Sequence, residues 1–279
     1  MKFTKMHGLG KDYVYIDCFE QKVEEPEMLA IRMSKQHFGI GADGFILIEP
    51  SECADCKMRI FNADGSEAEM CGNGIRCIGK YVYENKIVEK PEIFVETKAG
   101  VKKLILFLEK GNVREIQVAM GEPIWDAQKI PINIKQSPVH FCPVTIGSTT
   151  FILHAVSVGN PHGVIFQPYL DDEVVQIYGP LLERHPVFPK HANIEFVKLI
   201  DSNHIQVRVW ERGSGETLAC GTGACAAAVV AASCGYTGRE VEVDLPGGTL
   251  QMRWEEEDNC IYMTGSAEIV FEGNYFIAL

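Results

Sequence analysis

The sequence predicts an α+β protein made of two pseudo-symmetric halves, each a strongly curved, barrel-like mixed sheet wrapped around one central helix. Three observations lead there. Glu69-Met-Cys71-Gly-Asn-Gly74 recurs 149 residues later as Leu218-Ala-Cys220-Gly-Thr-Gly223, and self-similarity at so long a period marks duplicated domains, not a solenoid. Most other apolar runs are short, β-branched or aromatic and bounded by Gly, Pro, Asp or Asn, as strands are. The run that follows Cys220, Ala224-Cys-Ala-Ala-Ala-Val-Val-Ala-Ala232, is apolar on every face, so a helix there must be surrounded by protein.

The duplication extends beyond the cysteines. The same shift lays Arg59-Ile-Phe61 on Arg208-Val-Trp210, Glu67 on Glu216 and Gly10 on Gly159. Asn62 then meets Glu211, Lys11 meets Asn160 and Gly44 meets Asn193. The halves therefore diverge mainly where polar side chains could reach a ligand, and the expected site is a cleft shared by the two domains.

In chain order, strands are predicted at 13–16, 45–48, 58–61, 93–96 and 103–108, with helices over 26–36 and 75–86. The second half repeats the pattern, with strands at 151–158, 163–166, 194–197 and 205–210, a helix near 172–183 and the apolar helix over 222–234. The boundary is expected near Met120–Pro123, giving a first domain of 1–120 and a second of 121–264. Glu268-Ile-Val-Phe271 and Tyr275-Phe-Ile-Ala-Leu279 are expected to return and complete the first domain as 265–279.

The chain has 279 residues, enough for two domains that each bury a core. Apolar residues make up 46% and charged residues 23%, as in soluble globular proteins, and no apolar run approaches the roughly 20 residues of a membrane span. The N-terminus lacks the apolar stretch and cleavage site of a secretory signal, so the expected location is the cytoplasm. The net charge of −12 comes with no basic run to neutralise phosphates, which argues against nucleic acid as a partner. Ten cysteines scattered through such a chain read as free thiols, not a disulfide framework.

The chemistry is carried by Cys71 and Cys220. The glycines that follow them let backbone approach a ligand, and a helix beginning there presents amide N–H groups and the positive end of its dipole to a carboxylate. The same dipole is expected to lower a thiol pKa toward neutrality, so that each cysteine could serve as a base. With one sulfur on each side of an amino-acid α-carbon, one removes a proton from one face while the other delivers a proton to the opposite face, which inverts the stereocentre. The carbanion-like state needs preorganised donors, and paired helix ends are donors of that kind. No glycine-rich cofactor fingerprint or pyridoxal-type lysine motif is evident, so the reading involves no cofactor and no metal.

The ordered motifs Met6-His-Gly-Leu-Gly10, Phe61-Asn-Ala-Asp-Gly-Ser-Glu67, Cys71-Gly-Asn-Gly-Ile-Arg-Cys77, Gly159-Asn-Pro-His162, Trp210-Glu-Arg-Gly213 and Ala219-Cys-Gly-Thr-Gly-Ala224 together resemble the diaminopimelate epimerases over nearly the whole chain. The resemblance implies a cytosolic, cofactor-independent homodimer that interconverts LL- and meso-2,6-diaminopimelate for lysine and cell-wall synthesis. It implies Cys71 as proton donor and Cys220 as proton acceptor in the LL to meso direction. It assigns the backbone of Gly72, Asn73, Gly221 and Thr222 to the reacting carboxylate, and Asn62, Asn160, Asn193 and Arg212 to the distal end of the substrate. Arg212 suits a carboxylate through its planar fork; Glu211 suits the distal ammonium and, with His162, is placed to tune the thiols. Lys11 and Gly44 depart from the family pattern, standing where asparagine and often glutamine are expected beside the reacting ammonium. Lys11 is expected to turn outward or to reach substrate only through its backbone.

Simpler readings stand beside these. Cys18, Cys77, Cys142, Cys225 and Cys234 read as packed small hydrophobes. Cys53-Ala-Asp-Cys56 has metal-like spacing but no second pair at finger spacing. Asn62, Asn160 and Asn193 lie in strong turn sequences. Competing functions are a two-cysteine racemase of proline, hydroxyproline or histidine, for which Arg212 would lack a partner; a dithiol redox protein; and an isomerase of the phenazine type, which lacks the cysteine pair.

Overall fold

The computed structural model describes residues 1–276; Ile277, Ala278 and Leu279, expected to continue the C-terminal return, lie outside the described residues. The chain forms two compact units, Met1–Val118 with the segment from Thr264 onward, and Ala119–Met263. The architecture is mixed α+β, dominated by strands, with few helices.

The first unit runs β1 (Lys2–Gly8), β2 (Lys11–Asp17), α1 (Pro26–Ser34), β3 (Gly44–Glu49), β4 (Cys56–Asn62), β5 (Glu67–Ala68), α2 (Gly72–Glu84), β6 (Glu92–Thr97), β7 (Gly100–Glu109) and β8, which starts at Asn112. Strands β2 and β3 are parallel with Tyr13 opposite Gly44, and β3 and β4 are antiparallel with Gly44 opposite Asn62. The final strand, Glu268–Asn274, pairs antiparallel with β1. Helix α1 packs Leu29, Ala30 and Met33 onto Phe45, Leu47 and Phe61. Helix α2 buries its first eight residues. At Gly79 an added Cβ would lie 2.8 Å from the Leu104 side chain, so glycine sets how closely α2 approaches β7.

The second unit repeats the plan with β9 (Cys142–Ile146), β10 (Thr149–Ser157), β11 (Pro161–Phe166), α3 (Gly179–Glu183), β12 (Asn193–Asp201), β13 (His204–Glu211), β14 (Gly215–Thr217), α4 (Gly221–Ser233), β15 (Glu240–Leu245), β16 (Gly248–Trp254) and β17, which starts at Ile261. Strands β11 and β12 are parallel with His162 opposite Asn193, and β12 and β13 are antiparallel with Ile194 opposite Trp210. The 149-residue shift therefore maps strand register on register: Tyr13–Gly44 becomes His162–Asn193, and Phe45–Phe61 becomes Ile194–Trp210. The ion pair between Arg59 Nε and Glu67 Oε1 (2.9 Å) recurs as Arg208 Nε and Glu216 Oε1 (2.6 Å). Helix α4 touches β10, β11, β12, β13, β15 and β16, which accounts for its lack of any polar face.

Three expectations about elements need correction. The helix near 172–183 is a π-helical turn, Val174–Tyr178, running into the short α3; Gly179 lies against the Trp210 ring, where a Cβ would come within 2.7 Å. Helix α2 begins at Gly72, not Ile75, because two glycines and an asparagine weaken the local propensity while Cys71 caps the start. Strands β1, β5, β8, β9, β14, β15, β16 and β17 are additional to those the sequence predicts, since β5 and β14 are very short and elsewhere alternation of charged and apolar residues, as in Glu240-Val-Glu-Val-Asp-Leu245, dilutes the apolar runs.

Candidate functional site

Each cysteine is the N-cap of its central helix. Cys71 has extended backbone (φ −134°, ψ 121°), and its sulfur accepts from the Gly74 N–H at 3.5 Å. Cys220 has φ −118° and ψ 109°, and its sulfur accepts from the Gly223 N–H at 3.4 Å. The geometry is that of a capping serine or aspartate with sulfur in place of oxygen. Gly72 and Asn73 open α2, and Gly221 and Thr222 open α4, the positions whose amides have no carbonyl partner within the helix.

Around Cys71 the first unit places Tyr13, whose hydroxyl donates to the sulfur at 3.4 Å. Beneath the helix start lies Arg76, with no solvent exposure. Its Nη2 donates to Asn73 Oδ1 (2.9 Å), its Nε to the Ser266 carbonyl (3.1 Å) and its Nη1 to the Gly72 carbonyl (3.3 Å). Arg76 thus fixes the Asn73 side chain and ties α2 to the returning C-terminal segment. Gly44 sits where a Cβ would lie 2.3 Å from the Phe61 carbonyl oxygen and 2.9 Å from the Tyr13 ring, so the glutamine expected there has no room. Asn62 is exposed, its Nδ2 donating to Ser66 Oγ at 3.0 Å across the turn; the turn reading of this asparagine holds in the structure. Lys11 opens β2 beside Asp43, whose carboxyl desolvation holds above its usual range against the pull of the Lys11 ammonium.

Around Cys220 the second unit gathers His162, Asn160, Asn193, Glu195, Glu211 and Thr217. His162 and Glu195 are both fully buried, with Nδ1 and Oε1 2.7 Å apart. The other ring nitrogen of His162 meets Asn160 Oδ1 at 2.8 Å, so it carries a proton as the donor. Burial pushes the Glu195 carboxyl up, opposed by His162 and assisted by Glu211. Glu195 Oε1 would lie 2.9 Å from a Cβ at Gly223, which puts the carboxyl directly under the first turn of α4. Asn193 accepts from the Arg212 N–H at 2.9 Å and donates to the Pro161 carbonyl at 3.3 Å. Glu211 accepts from Thr217 Oγ1 at 2.5 Å. The Arg212 guanidinium is exposed and donates to the Lys190 carbonyl at 3.4 Å.

The expectation that the helix dipole lowers both thiols fails at Cys220. Burial, followed by the charges of Glu211 and Glu195, pushes this thiol well above its ordinary value, and the hydrogen bonds from Thr222 and Gly223 do not offset them. Burial beside two carboxylates favours the neutral thiol over the thiolate.

Sequence reasoning passes over Tyr13, Arg76, Glu183 and Glu195. Glu183 is buried and accepts from Trp210 Nε1 (2.9 Å) and the Gly213 N–H (3.0 Å), which holds the turn that presents Glu211 and Arg212. Two of the four have a usable signal in the repeat. Under the 149-residue shift Glu195 stands where the other half has Ile46, and Arg76 where the other half has Cys225; a charge replacing an apolar counterpart in a buried element calls for a purpose.

The sequence profile described as diaminopimelate epimerase matches residues 3–125 and 154–270. A diaminopimelate epimerase from Methanococcus maripaludis strain S2 is 51% identical over 273 residues, covering 98% of this chain and 99% of its own. Another, from Desulfovibrio desulfuricans, is 51% identical over 283 residues, covering 99% of each. A crystal structure of a hydroxyproline epimerase from Agrobacterium vitis has a TM-score of 0.71 over 98% of this chain and 91% of that one, at 14% identity; at that identity the likeness is one of fold.

Proposed function

Because the chain belongs to the diaminopimelate epimerase family, we propose that it interconverts LL- and meso-2,6-diaminopimelate by two-base proton transfer, without a cofactor. The observation that carries the mechanism is the repeated cap: a cysteine sulfur held at the start of a buried helix in each half, with the same strand registers behind it.

In the LL to meso direction the Cys220 thiolate takes the α-proton, and the electron pair of that C–H bond moves onto the carboxylate. Amides of Gly72, Asn73, Gly221 and Thr222 stabilise the charge. The Cys71 thiol then gives its proton to the opposite face, leaving Cys71 as thiolate and Cys220 as thiol; the roles exchange in the reverse direction. Burial and carboxylates favour the thiol at Cys220, so the substrate-free chain is prepared to donate from Cys220 in the meso to LL direction. For LL to meso, Cys220 must first lose its proton. Binding of the distal ammonium by Glu211 removes part of the negative field and brings the thiol down, so substrate recognition and base activation are coupled through one carboxylate. Asn160, Asn193 and Arg212 hold the distal end, and Arg212 turns its fork from the Lys190 carbonyl to the distal carboxylate. Asn62 contributes from its turn. The backbone at Lys11 and at Gly44 lines the reacting end.

Proton NMR of LL-diaminopimelate with enzyme and reductant in deuterium oxide tests this. Loss of the α-proton signal with formation of meso product, abolished or sharply slowed in Cys71→Ser and in Cys220→Ser, is expected. Exchange that survives either substitution at the wild-type rate would refute two-base chemistry; exchange only with another amino acid would refute the substrate.

No helix among the described residues is long and apolar enough to cross a membrane. The enzyme works in the cytoplasm as a homodimer. Support for self-association comes from the final strand, where Ile269, Val270 and Phe271 are exposed side by side; sedimentation equilibrium of the purified chain tests it.

A further inference from the structure

We propose that His140, His154 and Cys234 form a binding site for a borderline divalent metal ion of the zinc class, separate from the epimerase machinery. The three come from distant parts of the second unit. His154 lies on β10, Cys234 is the C-cap of α4, and His140 lies on the segment leading into β9. The Nδ1 atoms of the two histidines are 3.2 Å apart, Cys234 Sγ is 3.5 Å from His154 Nδ1, and all three atoms lie within 4.8 Å of one another.

The two spacings at His154 match what one tetrahedral ion imposes, and the third, from His140 to Cys234, lies within 4.8 Å and closes by at most about 1.2 Å on binding. With metal–nitrogen bonds of about 2.05 Å and a metal–sulfur bond of about 2.3 Å, the N···N separation is about 3.3 Å and the N···S separation about 3.6 Å. Hydrogen bonding accounts for the cluster less well, because two Nδ1 atoms facing each other share a single proton and the thiol must then compete for the same His154 nitrogen. Nitrogen and sulfur donors select zinc-class ions over magnesium or calcium, which take oxygen. On binding, the thiol gives up its proton and each imidazole keeps its remaining proton on Nε2. Three protein donors leave a fourth position for water.

The site is half-buried and lined with aromatic rings. The rings of Trp125 (5.2 Å from His140, between centroids), Phe141 (4.7 Å from His154) and Phe166 (5.5 Å from His154) pack around the two imidazoles. Cys234 ends the helix that Cys220 begins, and its N–H already donates to the Val230 and Ala232 carbonyls. A cation there sits at the negative end of the α4 dipole. It also clips the helix to β10 and to the His140 segment. Thirteen helical residues separate the two ends of α4, roughly 20 Å at 1.5 Å per residue, so the ion stands apart from Cys220 and acts by holding the helix.

The test uses the purified chain loaded with zinc or with cobalt(II), freed of excess metal and assayed for metal content, visible absorption and melting temperature. Wild type is expected to retain one ion per chain, to show thiolate-to-cobalt charge-transfer absorption, and to melt higher with zinc than after chelation. Cys234→Ala and His140→Ala, both at incompletely buried positions, should lose the charge-transfer band or weaken zinc binding at least about 100-fold, beyond the 10–100-fold typical of losing a mere supporting partner. Cys53→Ala and Cys71→Ala should leave the band intact. Should Cys234→Ala fail to fold, Cys234→Ser keeps the shape and loses the sulfur band. No retained metal in wild type, or a band unchanged by loss of Cys234, overturns the proposal.

Discussion

Replacing Arg76 by methionine should destabilise the first unit by about 3–5 kcal/mol and weaken the site at its reacting end. The guanidinium is wholly buried and donates to the Gly72 carbonyl, the Ser266 carbonyl and Asn73 Oδ1. Methionine fills much of the same volume, so the loss is chiefly one of donors. The Gly72 carbonyl keeps its bond from the Arg76 backbone N–H within α2, so the loss falls on the charged hydrogen bonds to the Ser266 carbonyl and Asn73 Oδ1. At about 1.5–3 kcal/mol each, these with partial relaxation give the range stated, a large part of the roughly 5–15 kcal/mol that typically holds a domain folded. Amide hydrogen exchange is the suitable assay, because the two units need not unfold together. Protection should fall in α2 and in the segment after Ser266, while α4 keeps its protection. Because Asn73 loses its anchor, kcat/KM should fall as well, and Arg76→Lys, with a single ammonium in place of a planar fork, should restore it only in part. A methionine variant with wild-type protection in α2 would refute the assigned role.

Three further perturbations follow from the same geometry. Glu211→Gln removes a negative charge that helps to push the Cys220 thiol up, so the thiol pKa falls and, with LL-diaminopimelate as substrate, the acidic limb of the kcat/KM profile against pH moves to lower pH; an unmoved limb would exclude Glu211 as its cause. Gly44→Ala drives a Cβ to 2.3 Å from the Phe61 carbonyl oxygen and should cost about 1–3 kcal/mol in a thermal melt; a melt unchanged from wild type would mean that the strands part freely. Lys11→Ala should keep substrate affinity and pH dependence, measured by steady-state kinetics, and a large shift of the acidic limb would show that the ammonium faces the reacting centre.

Much of the site is legible in the amino-acid sequence because glycine, cysteine and duplication are local signals. The Cys71 and Cys220 contexts declare a helix start by composition alone, and the 149-residue shift carries over into paired strands without slippage. The rest depends on burial and on long-range partners. The Cys220 thiol is raised first by the removal of water, then by Glu211 and by Glu195, 25 residues away; the burial and the Glu195 charge have no trace in the local motif. Arg76 shows its purpose only once Ser266 has returned beside it. His140, His154 and Cys234 share no spacing that a motif would catch. Cys234, which reads as a packed small hydrophobe, gains its significance only from two imidazoles that chain order keeps far apart.

The capping role of the two sulfurs has a consequence for how this sequence is kept over time. Serine, threonine, aspartate and asparagine are the better caps, and sulfur is a weak acceptor, so at residues 71 and 220 helix stability alone would favour drift toward an oxygen-bearing side chain. Cys71→Ser and Cys220→Ser should therefore fold at least as well as the parent, with any gain up to about 1 kcal/mol, while losing turnover. Selection that acts only on folding would disarm this protein one cap at a time. Cysteine at both helix starts is thus what the proposed proton transfer calls for and what capping alone does not.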